Sequence, residues 1–242
     1  MISKRDVSLI WAISMDEEHF DCDPIWEEKY SAGHLQRYPW DLVVSFAFRN
    51  IPRHQPRSEI KIMEIGFGTA ANLWFAAREG FQVFGVEGSR SAVDLAKERF
   101  KSDGLQGDLR VGNFTNLPFE SNAFDLIIDR ASMVCVGLEG HKKTVDEVHR
   151  CLRKGGRFLH NVYSDRHSSM HSGSEENDGL IGNIKAGTLV GVGSIHFSSR
   201  REIDERFKDG WEVVQLEHRE NIDLLSTNGD THAEFVVVVE KT

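Results

Sequence analysis

Residues 61–89, KIMEIGFGTAANLWFAAREGFQVFGVEGS, limit what this chain can become more than any other stretch. An apolar run ends at Gly66, and a second glycine follows at Gly68. A helical pattern then leads to Gly80, and a second apolar run closes on Glu87. Strand, glycine turn, helix and strand make a βαβ unit. Its glycines let the backbone approach a bound group, and a carboxylate roughly twenty residues on can accept ribose hydroxyls. The segment therefore predicts an adenosine-containing cofactor held between the turn and the acid.

The rest of the chain extends that unit. "PWDLVVSFAFRN" reads as a helix started by Pro39 and Asp41. "SRSAVDLAKERF" reads as a second helix, with Ser91 and Asp94 at capping-box spacing. "DLRVGN", "FDLIID" and "RFLHNVY" are strands. "HKKTVDEVHRCLRKGG" is a helix with Gly155 just past its end, and "SRREIDERFKDG" is the last helix before strands "WEVVQLEHRE" and "AEFVVVVEK". This order predicts an α/β fold: a doubly wound, mostly parallel seven-stranded sheet with an antiparallel edge strand and helices on both faces. One domain is expected, divided into an N-terminal cap (1–58), a cofactor-binding core (59–163), a lid or insertion (164–194) and a C-terminal helix with a strand pair (195–242). The cap is rich in aromatics (Trp11, Phe20, Trp26, Tyr30, Tyr38, Trp40). The lid segment is polar, with six glycines, and is long for a connection.

Composition narrows the partners. A formal charge of −9 without a long basic run disfavours nucleic acid. Cys22, Cys135 and Cys151 are odd in number and far apart, which suits neither a disulfide framework nor a zinc site and points to the cytoplasm. The apolar "SLIWAI" is too short for a membrane span. No membrane association and no metal are expected.

The turn Gly66-Phe67-Gly68-Thr69-Ala70-Ala71 by itself fits a nicotinamide dinucleotide as well as S-adenosylmethionine. Glu64 separates them. A carboxylate inside a strand buried on both faces needs a cation, and a methionine ammonium supplies one where a dinucleotide does not. Beyond the third strand, Asn113 and Phe114 suit an adenine edge and face. Over residues 59–163 the sequence resembles the class I S-adenosylmethionine-dependent methyltransferases of the Rossmann-like, small-molecule type. "EIGFGTA" matches the acid and glycine turn, "FGVEGS" the ribose acid, "GNFTNLPFESNAFDLIID" the adenine loop and fourth strand, and "LRKGGRFL" the turn into the fifth. Ala70 and Asn113 depart from the glycine and aspartate that many members carry there. The resemblance implies S-adenosylmethionine as cofactor, S-adenosylhomocysteine as product, Asp129 beside the methionine end, and an N-terminal cap over the cofactor.

Such a cofactor already carries an activated methyl, so a protein of this kind mainly aligns an acceptor and excludes water. A base is needed for an oxygen acceptor, and His167, just after the fifth strand, is the candidate. The run Asn161, Tyr163, Ser164, Asp165, Arg166 and His167 suggests a polar small-molecule acceptor such as a sugar or glycan precursor. A nicotinamide-dependent oxidoreductase and a non-catalytic cofactor-binding module remain the alternatives.

Overall fold

Seven strands form one sheet in the order β3-β2-β1-β4-β5-β10-β9. They are β1 (Lys61–Ile65), β2 (Gln82–Glu87), β3 (Asp108–Val111), β4 (Phe124–Arg130), β5 (Leu152–Tyr163), β9 (Trp211–Ile222) and β10 (Thr231–Lys241). Strands β1 to β5 pair in parallel. β10 pairs antiparallel with both β5 and β9, which makes the edge pair. This computed structural model describes residues 23–226 and 230–242; Trp11, Phe20 and Cys22 lie outside the described residues.

The period of two along each strand divides the core between the faces. Ile62, Leu126, Ile128, Val236 and Val238 pack on one side with Val43 and Phe46 of α2 (Asp41–Asn50), Leu73 of α3 (Ala71–Arg78) and Val93 of α4 (Arg90–Ser102). Met63, Ile65, Ile127, Val237 and Val239 pack on the other with Val145 and Val148 of α5 (Leu138–Cys151) and Ile203 of α6 (Arg200–Arg206). Helices thus cover both faces. The strand order reverses between β1 and β4, so the C-terminal ends of these strands open on the crevice where ligands of such sheets sit. The helix α1 (Ile25–Ser31) crosses this end, tied to α4 through Ser89 Oγ, which donates to Glu27 Oε2 at 2.6 Å.

Three local expectations change. The cap of α4 is Ser89, which accepts from Ala92 N at 3.1 Å; Ser91 is already inside the helix and its hydroxyl turns to Glu27. The helix α5 stops at Cys151, four residues before Gly155, because Leu152 is drawn into the sheet opposite Phe124. Gly155 then takes φ +73° within β5, where its register against β4 shifts. Residues 164–194 are no open connection. They contain β6 (Ser174–Glu175) and β7 (Leu180–Gly182), which join β8 (Ile195–His196) in a small sheet, and they bury Ile181, Ile184 and Leu189. Among the described residues no helix is long and apolar enough to cross a membrane.

Candidate active site

The glycine turn is held open by its surroundings. Gly66 and Gly68 have φ of +60° and +54°, conformations that disfavour a side chain. A Cβ on Gly66 would lie 2.3 Å from Ser132 Oγ, and one on Gly68 would lie 2.6 Å from the Tyr30 hydroxyl. Ala70 keeps φ +57° at the start of α3, although it carries the methyl that a glycine would lack. Glu87, at the end of β2, takes a hydrogen bond from Gly68 N and one from Ser89 N, both 2.8 Å. The acid therefore shapes the turn as well as facing the cleft. Each of its oxygens keeps a further lone pair for a ribose hydroxyl.

Glu64 is the most telling group. It is 2% exposed, and Oε1 accepts from Asn72 Nδ2 at 2.7 Å. Oε2 has no hydrogen-bond partner. Burial pushes the carboxyl up to about 8, and the Asn72 hydrogen bond only partly opposes this. A buried carboxylate oxygen without a donor is costly, and a cation brought into the cleft removes the cost. The ammonium of a methionine moiety fits that atom.

Two lobes of one cleft share Trp26, Tyr30, Gly66, Arg130 and Ala131. The first adds Glu87, Gly112, Asn113, Phe114, Ser132 and Cys135. Asn113 Oδ1 accepts from Thr115 N at 2.8 Å and Thr115 Oγ1 at 2.9 Å, so its amide nitrogen is left to donate to a ligand. The second lobe adds Glu64, Gly68, Trp40, Tyr163, Ile195 and His232. Glu64, Gly66, Gly68, Glu87, Asn113 and Phe114, predicted from separate motifs, thus surround one cleft.

Two predicted residues do not belong to it. Asp129 is fully buried and lines neither lobe. Its Oδ1 accepts from Ser132 N and Met133 N at 2.9 and 3.1 Å, and its Oδ2 faces His160 Nδ1 at 2.8 Å. It builds the turn beneath the cleft. The neighbouring Arg130 lines the cleft, as strand alternation at the end of β4 allows. His167 is also fully buried. Its Nδ1 accepts from Ser169 N at 3.1 Å, and burial lowers its pKa to about 4. Of the polar run 161–167 only Tyr163 reaches the cleft; Asn161 is bound to Glu234 and Phe235, Ser164 to His218, and Arg166 to Glu220 on the surface. His232, more than sixty residues beyond this run, lines the second lobe instead, and no sequence pattern marks it. Among the described residues no group of three or more His, Cys, Asp and Glu could hold a metal ion.

Residues 62–156 match the family model of a methyltransferase domain. Over this core the chain is similar to S-adenosylmethionine-dependent methyltransferase domains. A sarcosine/dimethylglycine N-methyltransferase from Aphanothece halophytica is 25% identical over 66% of this chain and 54% of its own length. The methyltransferase fold superimposes on a S-adenosylmethionine-dependent methyltransferase from Methanosarcina mazei with a TM-score of 0.66 at 19% identity, over 86% of this chain and 99% of the other. It also superimposes on a phosphoethanolamine N-methyltransferase from Haemonchus contortus, solved with phosphomonomethylethanolamine and S-adenosylhomocysteine. That match has a TM-score of 0.63 at 19% identity, over 90% of this chain and 56% of the other. The matched stretch spans 36–61% of the length of the curated relatives.

Proposed function

We propose that this chain transfers a methyl group from S-adenosylmethionine to a polar small-molecule acceptor seated in the second lobe of the cleft. The observation that carries the reading is the unpartnered, buried Oε2 of Glu64 beside the glycine turn. Bound S-adenosylmethionine supplies an activated methyl on a sulfonium centre. Glu64 holds the ammonium, Glu87 the ribose, and the amide of Asn113 with the ring of Phe114 the adenine. Gly66 and Gly68 keep side chains out of the way. Tyr30 and Trp26, reaching over from α1, exclude water from the reacting end.

Burial speaks against His167 as the base of this reaction, because its ring lines neither lobe. His232 is not poised as one either. Ser169 N–H uses the Nδ1 lone pair of His167, so neutral His167 carries its proton on Nε2. That proton points to His232 Nδ1 at 3.3 Å and Thr188 Oγ1 at 3.2 Å. Where that proton goes to His232, a neutral His232 keeps its own on Nε2, 3.8 Å from Glu234 Oε2. These assignments support transfer to an acceptor that arrives neutral at its nucleophilic atom, with alignment as the protein's main contribution. The sugar or glycan reading has lost the polar run that motivated it and is not retained.

We read residues 164–194 as a lid, because Val192, near its end, borders the acceptor lobe. Protease protection by S-adenosylhomocysteine together with acceptor tests that reading; equal cleavage with and without them refutes it. The cofactor reading is tested by calorimetric titration with S-adenosylhomocysteine and with reduced nicotinamide dinucleotide. Binding of the first alone is expected, and binding of the second alone would return the chain to the oxidoreductases.

A further inference from the structure

Arg130, the last residue of β4, lines both lobes of the cleft. Its guanidinium makes no hydrogen bond or ion pair with a described residue, yet it is held in place, 4.1 Å from the centroid of the Trp40 ring. Stacking on an aromatic face fixes the plane of a fork that carries five N–H donors and matches a carboxylate or phosphate in two hydrogen bonds. Its charge reaches the carboxylates of Glu64 and Glu234, but their hydrogen bonds, and those of Asp129, go to other groups. Asp129 serves the turn and His160, Glu234 accepts from Asn161 Nδ2 at 3.1 Å, and Glu64 holds Asn72. A sulfonium brought into the same cleft would add a second positive charge near Arg130, which one more anion in the second lobe offsets.

We propose that Arg130 selects the acceptor: the molecule methylated carries a carboxylate or phosphate that this guanidinium takes in the second lobe. The inference rests on the reading of that lobe as the acceptor chamber. Two sources offer the same chemistry, an oxyanion on the acceptor and the carboxylate of the cofactor's own methionine. Both sources fall in the second lobe, which holds Glu64 as well as Trp40; Arg130 is oriented by Trp40 and its charge reaches Tyr163 and Glu234, on the β5 and β10 side of that lobe, and this favours the acceptor.

The full chain and its Arg130→Met and Arg130→Lys variants separate the two sources. Each is titrated with S-adenosylhomocysteine and then incubated with trideuteromethyl S-adenosylmethionine and a small-molecule extract of the source cells. Labelled products are identified by mass spectrometry and their precursors used for kinetics. Affinity for S-adenosylhomocysteine should stay within about threefold in both variants, and the labelled product should contain a carboxylate or phosphate. Arg130→Met should lower kcat/KM for that acceptor by roughly 10- to 150-fold, mainly through KM, as loss of a charge-assisted contact does. Arg130→Lys should recover part of it, because the charge returns without the fork. A fall in S-adenosylhomocysteine affinity parallel to the fall in transfer assigns Arg130 to the cofactor and overturns the proposal, as does a labelled product with no acidic group. If wild type binds S-adenosylhomocysteine and labels nothing, the proposed methyl transfer itself is overturned, and this inference with it.

Discussion

The two lobes of the cleft are built in different ways. The first is assembled from consecutive pieces of chain: the turn after β1, the end of β2, the loop after β3 and the turn after β4. Its contacts are largely fixed by backbone, with Gly68 N and Ser89 N held by Glu87, and Ser132 Oγ donating to Gly66 O at 2.9 Å. The second shares one wall with the turn after β1, through Glu64 and Gly68, and is otherwise assembled from side chains far apart in sequence: Trp40, Arg130, Tyr163, Val192, Ile195 and His232. A lobe made by local turns can be reused for one cofactor while a lobe made by distant side chains changes freely. On the proposed reading, cofactor identity is a property of the turn, and acceptor identity a property of the packing around it.

The largest expected effect falls on the glycine turn. Gly68→Val places a branched side chain at φ +54° against the Tyr30 hydroxyl. Binding of S-adenosylhomocysteine should fall at least ~100-fold in calorimetry while circular dichroism still reports the fold. Retained affinity would mean that the turn does not hold the cofactor and would dissolve the contrast between turn and packing.

Glu64→Gln comes next, at about 1.5–3 kcal/mol of cofactor affinity. It also has a pH signature. The free carboxyl sits at about 8 against an ordinary 4.5, so below about pH 8 a proton must leave before an ammonium can pair with it. Wild-type affinity for S-adenosylhomocysteine should rise from pH 6 to 8, by up to about tenfold per unit, and Glu64→Gln should flatten the curve. Stability runs the other way. A carboxyl whose pKa is raised on folding favours the folded state fully below about pH 4.5, and that contribution is lost as pH rises toward 8. Ligand-free Glu64→Gln should therefore melt higher than wild type at pH 8. A lower melting temperature there would show that Oε2 is not buried without a partner.

A histidine pair sharpens the comparison within the second lobe. His232→Ala should change acceptor KM and leave cofactor affinity within about twofold, since His232 stands on β10, outside the turns that carry Glu64 and Glu87. His167→Ala leaves Ser169 N without its acceptor and should cost about 1–3 kcal/mol in urea unfolding. Neither should remove an acidic limb from the pH–rate profile; loss of that limb in His232→Ala alone would make His232 the base after all.

The smallest effect is expected at Ala70. Ala70→Gly relieves φ +57° in the first lobe and should stabilise the protein by about 0.5–1 kcal/mol, seen as a rise of a few degrees in melting temperature with transfer unchanged. A drop would mean that the Ala70 methyl, buried completely, does more for packing than its backbone strain costs.

The sequence by itself determined the sheet, its helices and the cofactor lobe, because those depend on short-range patterns. Apolar runs, the Gly66–Gly68 turn and the spacing to Glu87 are read within about thirty residues, and Glu64 stands out because a charge in a buried strand must be answered. Asp129 was misread by a single position: it and Arg130 are neighbours in the chain but face opposite ways at a strand end, and only the packed turn decides which one meets the cleft. His167 and His232 exchanged places for a related reason. The antiparallel return of β10 carries His232 to the crevice, while the turn after β5 folds His167 under it. Tertiary structure decided the far wall of the second lobe because its side chains meet only after β5, β10 and the 164–194 segment have packed together, and no local spacing encodes that meeting.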